Sequence, residues 1–135
     1  KEISKLLEQR TSNFLEDKFL DITLKGGTAF NVTTAYLALF SSDPTDAGSG
    51  TECSWTNYAR QSIAFGTISN GSVSNSGTIT FPATVGADVT VTHIGIYDAA
   101  TTGNLMYHTA LDASKTLSAA DVMSVAASGV SVTLS

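Results

Sequence analysis

The chain has few cationic residues outside its amino-terminal end. Residues 1–26 contain five acids and five bases, whereas residues 27–135 contain seven acids and only Arg60 and Lys115 as bases. A surface so poor in Lys and Arg cannot neutralise many phosphates, so the composition argues against nucleic-acid binding. The same deficit argues against binding to anionic membranes. We therefore expect neither nucleic acid nor membrane among the partners of this protein.

Cysteine is almost absent as well. The single cysteine, Cys53, excludes a disulfide within the chain and a zinc site built from several cysteines. Hydrophobic runs are short, and none approaches the about 20 apolar residues of a membrane-spanning helix. The amino end, KEISKLLEQR, is charged and amphipathic, unlike a signal peptide. Stability is therefore expected to come from packing, within one chain or between chains.

Small hydroxylated residues and glycine are abundant. The sequence has 17 serines, 19 threonines and 11 glycines, more than a third of its 135 residues. Hydrophobic residues still make up 42%, which is enough to form a core and argues against disorder. A chain of this length suits a single domain. The composition predicts one β-rich domain with many turns.

Residues 1–26 have a helical pattern that the rest of the chain lacks. Asn13 followed by Glu16 predicts a helix cap, and Lys25-Gly26-Gly27 predicts a helix end. Two apolar stripes have helical spacing, the first with Ile3, Leu6 and Leu7 and the second with Leu15, Phe19 and Ile22. We predict two helices, or one bent helix, over about residues 2–25. This arm either packs on the adjacent sheet or docks on another chain.

From residue 34 onward the apolar residues alternate with a period of two. Such segments recur about every ten residues with turn sequences between them, the pattern of an antiparallel sandwich. The predicted strands are 34–40, 58–65, 78–81, 89–98, 105–108, 121–126 and 129–134, with a turn at 69–72. The fold class expected is mainly β, an antiparallel β-sandwich with an N-terminal helical arm. The domain boundaries expected are 1–26 for the arm and 27–135 for the sandwich.

The sequence contains no recognisable catalytic motif. It has no G-x-S-x-G, no H-E-x-x-H and no glycine-rich phosphate loop opening a helix. His93 and His108 are the only histidines, and we expect both to have structural or interface roles. A glycan hydrolase, the weakest alternative, would need two carboxylates facing each other in a cleft. The chain is predicted not to be an enzyme and to use no cofactor.

The acidic loop after residue 42 is a candidate metal site. Asp43, Asp46 and Glu52 have carboxylate oxygens, which Ca²⁺ prefers as ligands. The spacing does not match a calcium-binding EF-hand loop, because Ser54 stands where that loop has its bidentate Glu. The segment Asp43-Pro44-Thr45-Asp46 is instead a favourable turn sequence. We predict a turn and no metal ligands, with a contact loop as the remaining alternative.

Six residues are candidates for contacts with other chains. Trp55 belongs either to the core or to a subunit interface, because a large aromatic side chain suits both. Arg60 is expected to pair with a carboxylate of its own chain or of a neighbour. The candidates are Ile3, Leu6, Leu7 and Phe14 in the arm, and Trp55 and Arg60 in the β domain.

Several motifs resemble a small family of bacteriophage virion proteins. The resemblance covers about residues 13–135 and leaves residues 1–12 as an extension. The segments that carry it are YLALF at 36–40, SDPTDAG at 42–48, YARQ at 58–61, ITFP at 79–82, VTHIGIYDA at 91–99 and GNL at 103–105. The segment CSWT at 53–56 departs from the family, which tends to be rich in glycine there. The resemblance therefore does not define the shape of this loop.

The resemblance implies a structural component of the virion without catalytic residues. Members are described as tail-fibre-like proteins, and some as head decoration (cement) proteins. We predict a decoration protein, because the sequence shows no repeat, shaft segment or long coiled coil typical of a fibre. It would bind the major capsid protein on the phage head surface, bridging its subunits as a homotrimer. The alternative is a tail-fibre or adhesin module that binds host-surface glycans through its end loops.

Overall fold

The computed structural model describes residues 2–3 and 10–134 of the chain. Within these ranges the chain is mainly β, with one helix near the amino end. The elements, in chain order, are β1 (Glu2–Ile3), β2 (Arg10–Thr11), α1 (Asn13–Leu24), β3 (Ala35–Phe40), β4 (Gln61–Ile63), β5 (Ser72–Ser74), β6 (Ile79–Thr80), β7 (Val89–Tyr97), β8 (Leu105–Leu117), β9 (Ser124–Val125) and β10 (Ser131–Thr133).

The strands form one large sheet and two small ones. The large sheet has the order β2-β8-β7-β3-β4 and is antiparallel throughout. The small sheets have the orders β1-β9-β6 and β10-β5, in which only the β1–β9 pair is parallel. The main core contains side chains from the large sheet and from both small sheets. This arrangement confirms the predicted mainly β, antiparallel class and is compatible with a sandwich.

β3 lies inside the large sheet and is covered on both faces. Leu37 and Leu39 belong to the main core, whereas Ala38 and Phe40 belong to a second cluster on the opposite face with Tyr97 and Leu105. All four β3 residues from 37 to 40 are at most 1% exposed. Residues 35–40 are apolar at both alternating positions, the pattern expected of a central strand that is covered on both faces.

β7 departs from simple alternation. An unbroken strand would place Val91 and Ile94 on opposite faces, yet both belong to the main core. The pairing register with β8 shifts between Val91 and His93, where residues 111–114 of β8 lie opposite the single residue Thr92 of β7. Strict alternation predicts that Val91 shares a face with His93 and Gly95, and the burial of Val91 in the same cluster as Ile94 shows this prediction to be wrong.

The N-cap of the helix lies one residue before the predicted cap. Ser12, not Asn13, is the N-cap: its side chain accepts a hydrogen bond from the Leu15 backbone amide at 3.2 Å. The Ser12 hydroxyl also donates to the carbonyl oxygen of Leu105, so the cap ties the helix to β8. The predicted helix end is confirmed, because Lys25 is the C-cap and Gly26 follows with φ of +67°.

The helical prediction for the start of the chain is wrong where the structure describes it. Residues 2–3 and 10–11 are strands that pair with β9 and β8. Residues 4–9, which include Leu6 and Leu7, lie outside the described residues. Backbone pairing with strands that are distant in the sequence decided the structure of these segments. An apolar stripe in the sequence cannot reveal such a contact. The division into an arm of 1–26 and a sandwich of 27–135 stays a prediction.

Two strands differ most in length from their predictions. The segment predicted as a strand at 58–65 pairs as a strand only over 61–63, because a turn at 56–57 precedes it and Tyr58 and Arg60 bond through their side chains. β8 is much longer than the predicted 105–108, since its polar residues 112–116 also pair with β7 or lie at the register shift.

Candidate functional site

The helix α1 exposes most of its large apolar side chains. Leu15 is the anchor, at 3% exposure, and packs into the main core. In contrast, Leu20 is 56% exposed and Leu24 is 75% exposed. Phe19 and Ile22 are also exposed. Four large apolar side chains of the helix thus stay exposed within the described chain, and they are the first candidate contact surface.

An apolar groove lies beside this helix. It has a volume of about 750 Å³ and runs between α1, the start of β3, β4 and the two-stranded sheet. None of the residues that line it is charged. The side chains at its mouth include Phe19, Phe30, Val32, Phe65 and Ile68, of which Ile68 is 74% exposed. Groove and helix together form what we call the apolar surface.

The contact candidates of the arm occupy different environments. Phe14 is half-buried and packs edge-on against Phe30, with 5.4 Å between ring centroids. The Ile3 backbone pairs with Val125 of β9. Leu6 and Leu7 lie outside the described residues. Of these four, the structure therefore places Phe14 beside the apolar surface and Ile3 in a sheet.

Trp55 is part of the core. It is 8% exposed and packs edge-on against Tyr58, with ring centroids 4.9 Å apart. Its indole N–H has no hydrogen-bond partner among residues 2–3 and 10–134. A side chain in this position supports the loop after the acidic turn and presents little surface to a partner.

Arg60 is held by its own chain. Its guanidinium donates two hydrogen bonds of 2.9 Å to the carboxylate of Glu52, and its side chain is only 8% exposed. It also donates to the carbonyl oxygens of Ala99 and Thr102, at 3.0 and 2.7 Å, and lies 3.6 Å from the centre of the Tyr97 ring. Burial alone would lower the pKa of Arg60, but the bonds to Glu52 outweigh it and raise the pKa. Arg60 thus links the loop that contains Glu52 to the loop at residues 99–102.

The three carboxylates of the candidate metal loop face different partners. Asp43 accepts a hydrogen bond from the Thr45 backbone amide at 2.8 Å, as expected for a turn. Asp46 bonds to Nε2 of His108 at 2.8 Å, and Asp43 lies 3.8 Å from Nδ1 of the same ring. Glu52 is the partner of Arg60. Across residues 2–3 and 10–134, no group of three His, Cys, Asp or Glu side chains is arranged to hold a metal ion.

A smaller cleft opens at the end of the large sheet, and we call it the end-loop cleft. Its volume is about 210 Å³, and it lies between the start of α1, the acidic turn and the loop before β8. Its lining is mixed: Phe14, Tyr97 and Leu105 are apolar or aromatic, and Asn13, Asp46 and Asn104 are polar. The cleft and the groove share no lining residue.

Sequence reasoning missed the pairing that shapes this end of the molecule. Asp46 and His108 are 62 residues apart, and no spacing rule connects them. The one available signal was the shortage of cations, which made each histidine a candidate partner for a carboxylate. The polar residues of the end-loop cleft gave no signal, because three separate segments contribute them.

None of the helices in the described part of the chain is long and apolar enough to cross a membrane. No curated protein sequence matches this chain. A family model does match, and its description as a fibre protein of a phage agrees with the resemblance found in the sequence. The match covers residues 10–133, most of the chain, so the protein belongs to the family of the podophage GP4 fiber I protein gp80 and is a structural component of a phage virion.

Proposed function

We propose that this chain is a non-catalytic subunit of a phage tail fibre that binds sister copies through its apolar surface. The observation that carries the proposal is the exposure of Leu20 and Leu24 beside a groove without charged residues. Large contiguous apolar patches on a soluble protein mark contact sites, because leaving them in water is unfavourable. The family description as a fibre protein supports the location.

The charge distribution supports self-association at this surface. Residues 27–135 hold seven acids and two bases, so two copies of the sandwich repel each other. The helix is also net acidic, with Glu16, Asp17 and Asp21 against one base, Lys18, whereas no charged residue lines the groove. A contact between the helix of one copy and the uncharged groove of the next therefore brings few like charges close together.

The proposed contact joins two different surfaces of the chain. Leu20 and Leu24 project from the helix, and neither lines the groove, so the projecting surface and the receiving surface are different. A contact between two different surfaces of the same protein is heterologous and closes as a ring when the rotation permits. Three copies form the smallest ring of this kind. We therefore propose a homotrimer in which the helix of one copy docks in the groove of the next.

A head decoration protein is the second candidate. The feature that favours it is the sequence, which has no heptad seam or repeated unit within its 135 residues. In that role the same trimer would sit on the phage head, and its apolar surface would also contact the major capsid protein. The two candidates differ in where the protein lies on the particle.

The oligomer is tested by sedimentation equilibrium of the wild type and of the double variant Leu20→Ser, Leu24→Ser. We expect a trimer for the wild type and a monomer for the variant, because the two polar side chains remove the projecting apolar contact. The control is Val85→Ser, Leu134→Ser, which changes two exposed apolar residues outside the apolar surface and should stay trimeric. A wild type that stays monomeric, or a helix variant that stays trimeric, refutes the proposed contact.

The location is tested by gold-labelled antibodies against this chain on intact particles. Label restricted to the tail supports the fibre subunit. Label spread over the head surface supports the decoration protein and refutes the fibre proposal. The helix variant should be absent from purified particles in either case, while the control variant should be incorporated normally.

A further inference from the structure

Two side chains that can accept hydrogen bonds line the end-loop cleft, and a residue outside the cleft holds each of them in place. The Asp46 carboxylate is held through Oδ1 by His108, at 2.8 Å. Asn104 is held by Asp98, which accepts from its backbone amide at 2.7 Å and from its side-chain amide at 2.9 Å. The remaining oxygens, Oδ2 of Asp46 and Oδ1 of Asn104, make no hydrogen bond to the described residues. Two preoriented acceptors thus line one small cleft.

The other walls supply donors and an apolar face. Asn13 is exposed at the start of α1, and its side-chain amide makes no hydrogen bond within the described part of the chain. Phe14 lines the same cleft with its half-buried ring, next to Leu105. Gly48 and Gly103 also line it, and both have a positive φ, a conformation that glycine adopts without strain.

These groups define the class of ligand by exclusion. No Lys or Arg lines the cleft, so it does not attract an anion, and Asp46 is its one carboxylate, too few for a hard cation. Fixed acceptors bind a ligand rich in hydroxyl donors, whereas the Phe14 face requires a ligand with an apolar side. A volume of about 210 Å³ is below that of a drug-sized pocket. Neutral saccharides have both features, and one sugar ring matches this size.

We propose that the end-loop cleft binds one neutral sugar ring of a glycan, with Asp46 and Asn104 accepting hydroxyl hydrogen bonds and Phe14 packing on the carbon face. This binding role goes beyond assembly of the virion and does not depend on it. It places the ligand at loops that the large sheet holds rigidly, where binding sites are commonly found.

The test is NMR of the full chain with a panel of neutral hexoses, 6-deoxyhexoses and N-acetylhexosamines at millimolar concentration. We expect at least one sugar to shift the amide signals of residues 46–48 and 103–105 in a saturable manner, with weak affinity typical of a single sugar ring. Asn13→Ala should weaken that binding several-fold without changing the fold, since the side chain is exposed.

A steric block gives the matched comparison. Ala47 is exposed and lines the cleft, so the side chain of Ala47→Trp should fill the cleft and abolish the shifts of the amide signals. The hydrogen bonds that hold Asp46 and Asn104 should stay in place. The control Ala87→Trp adds the same side chain at an exposed loop position outside the cleft and should bind like the wild type.

The outcomes are distinct from those for assembly. The Leu20→Ser, Leu24→Ser variant should lose trimerisation and keep sugar binding. The Ala47→Trp variant should lose sugar binding and stay trimeric. Failure of every sugar in the panel to give saturable shifts at the cleft overturns the proposal. So does undiminished binding by Ala47→Trp.

Discussion

At the scale of single residues, Arg60 shows how a scarce charge is used. With one other base in residues 27–135, an arginine there was a candidate for pairing with a carboxylate of its own chain or of a neighbouring chain. The structure instead gives it a bidentate bond to Glu52 and bonds to two loop carbonyls. Glu52 also accepts a hydrogen bond from the Tyr58 hydroxyl at 2.9 Å, so one carboxylate joins two loops and the core.

Replacing Arg60 should therefore destabilise the protein. Arg60→Met keeps the length of the side chain but leaves Glu52, which is 26% exposed, without its cation. We expect a loss of about 2 kcal/mol in the free energy of unfolding, less than for a fully buried pair because water reaches Glu52. Urea denaturation followed by tryptophan fluorescence measures it.

Lys115→Met is the matched control, since it removes the other base of the sandwich without breaking an ion pair identified in the described chain. Its effect should stay within about 0.5 kcal/mol. Equal losses for the two variants would mean that the Arg60 network contributes nothing beyond its net charge.

At the scale of elements, hydrogen bonds at the start of α1 fix the position of the helix more than the burial of its apolar side chains does. Ser12 is 1% exposed, caps the helix through the Leu15 amide and bonds to β8 through Leu105. The Asn13 backbone amide donates to the carbonyl of Asp46 at 3.0 Å, which ties the same helix start to the acidic turn. The cap thus fixes the position of one wall of the end-loop cleft.

Removing the cap should loosen the helix start. Ser12→Ala leaves the Leu15 amide and the Leu105 carbonyl without their partner, so we expect a loss of about 1–2 kcal/mol. Amide hydrogen exchange at Leu15 should become faster as well. Thr23→Ala provides the comparison, because that hydroxyl bonds to Phe19 of its own helix at 2.5 Å and should matter little. If both variants have the same stability and exchange, the cap has no such role.

At the scale of the whole molecule, four side chains that ionise at high pH are buried or half-buried. Burial raises the pKa of the Cys53 thiol from an ordinary 9.0 to about 11. Burial likewise raises the pKa of Tyr58, Tyr97 and Tyr107, in each case as the largest effect. All four groups therefore hold their protons more tightly in the folded chain than in the unfolded chain.

This common direction predicts alkaline destabilisation. A raised folded pKa contributes stability that is complete below the unfolded value, about pH 9 for Cys53, and is lost as the pH rises toward about 11. We expect the free energy of unfolding to fall steadily over this range in urea titrations. For the variants Cys53→Ala and Tyr107→Phe, the free energy of unfolding should fall less steeply with pH than it does for the wild type. A free energy that is independent of pH above 9 would contradict the prediction.

The fold class could be predicted because local patterns agree with it over most of the chain. Residues 37–40 are apolar at both alternating positions, and their strand is central for that reason. Local patterns failed where a distant contact decided the structure: the register shift between β7 and β8, the strand pairing of residues 10–11 and the polar half of β8. In each case the partner strand supplied the hydrogen bonds that the sequence pattern did not indicate.

The candidate sites show the same limit. The sequence identified Arg60, Trp55 and the acidic turn as unusual, yet their contacts depend on segments 40 or more residues away in two of the three cases. Three segments without a common sequence motif form the end-loop cleft, so no local sequence pattern predicts it.

By itself, the sequence determined that this protein is a β-rich virion component with an apolar helix near its start, because alternation, composition and family motifs are properties of the chain. Only the tertiary structure decided which apolar side chains stay exposed and which carboxylate meets which cation. Burial and pairing depend on the surfaces that surround a residue, and those surfaces exist only once the distant strands have packed together.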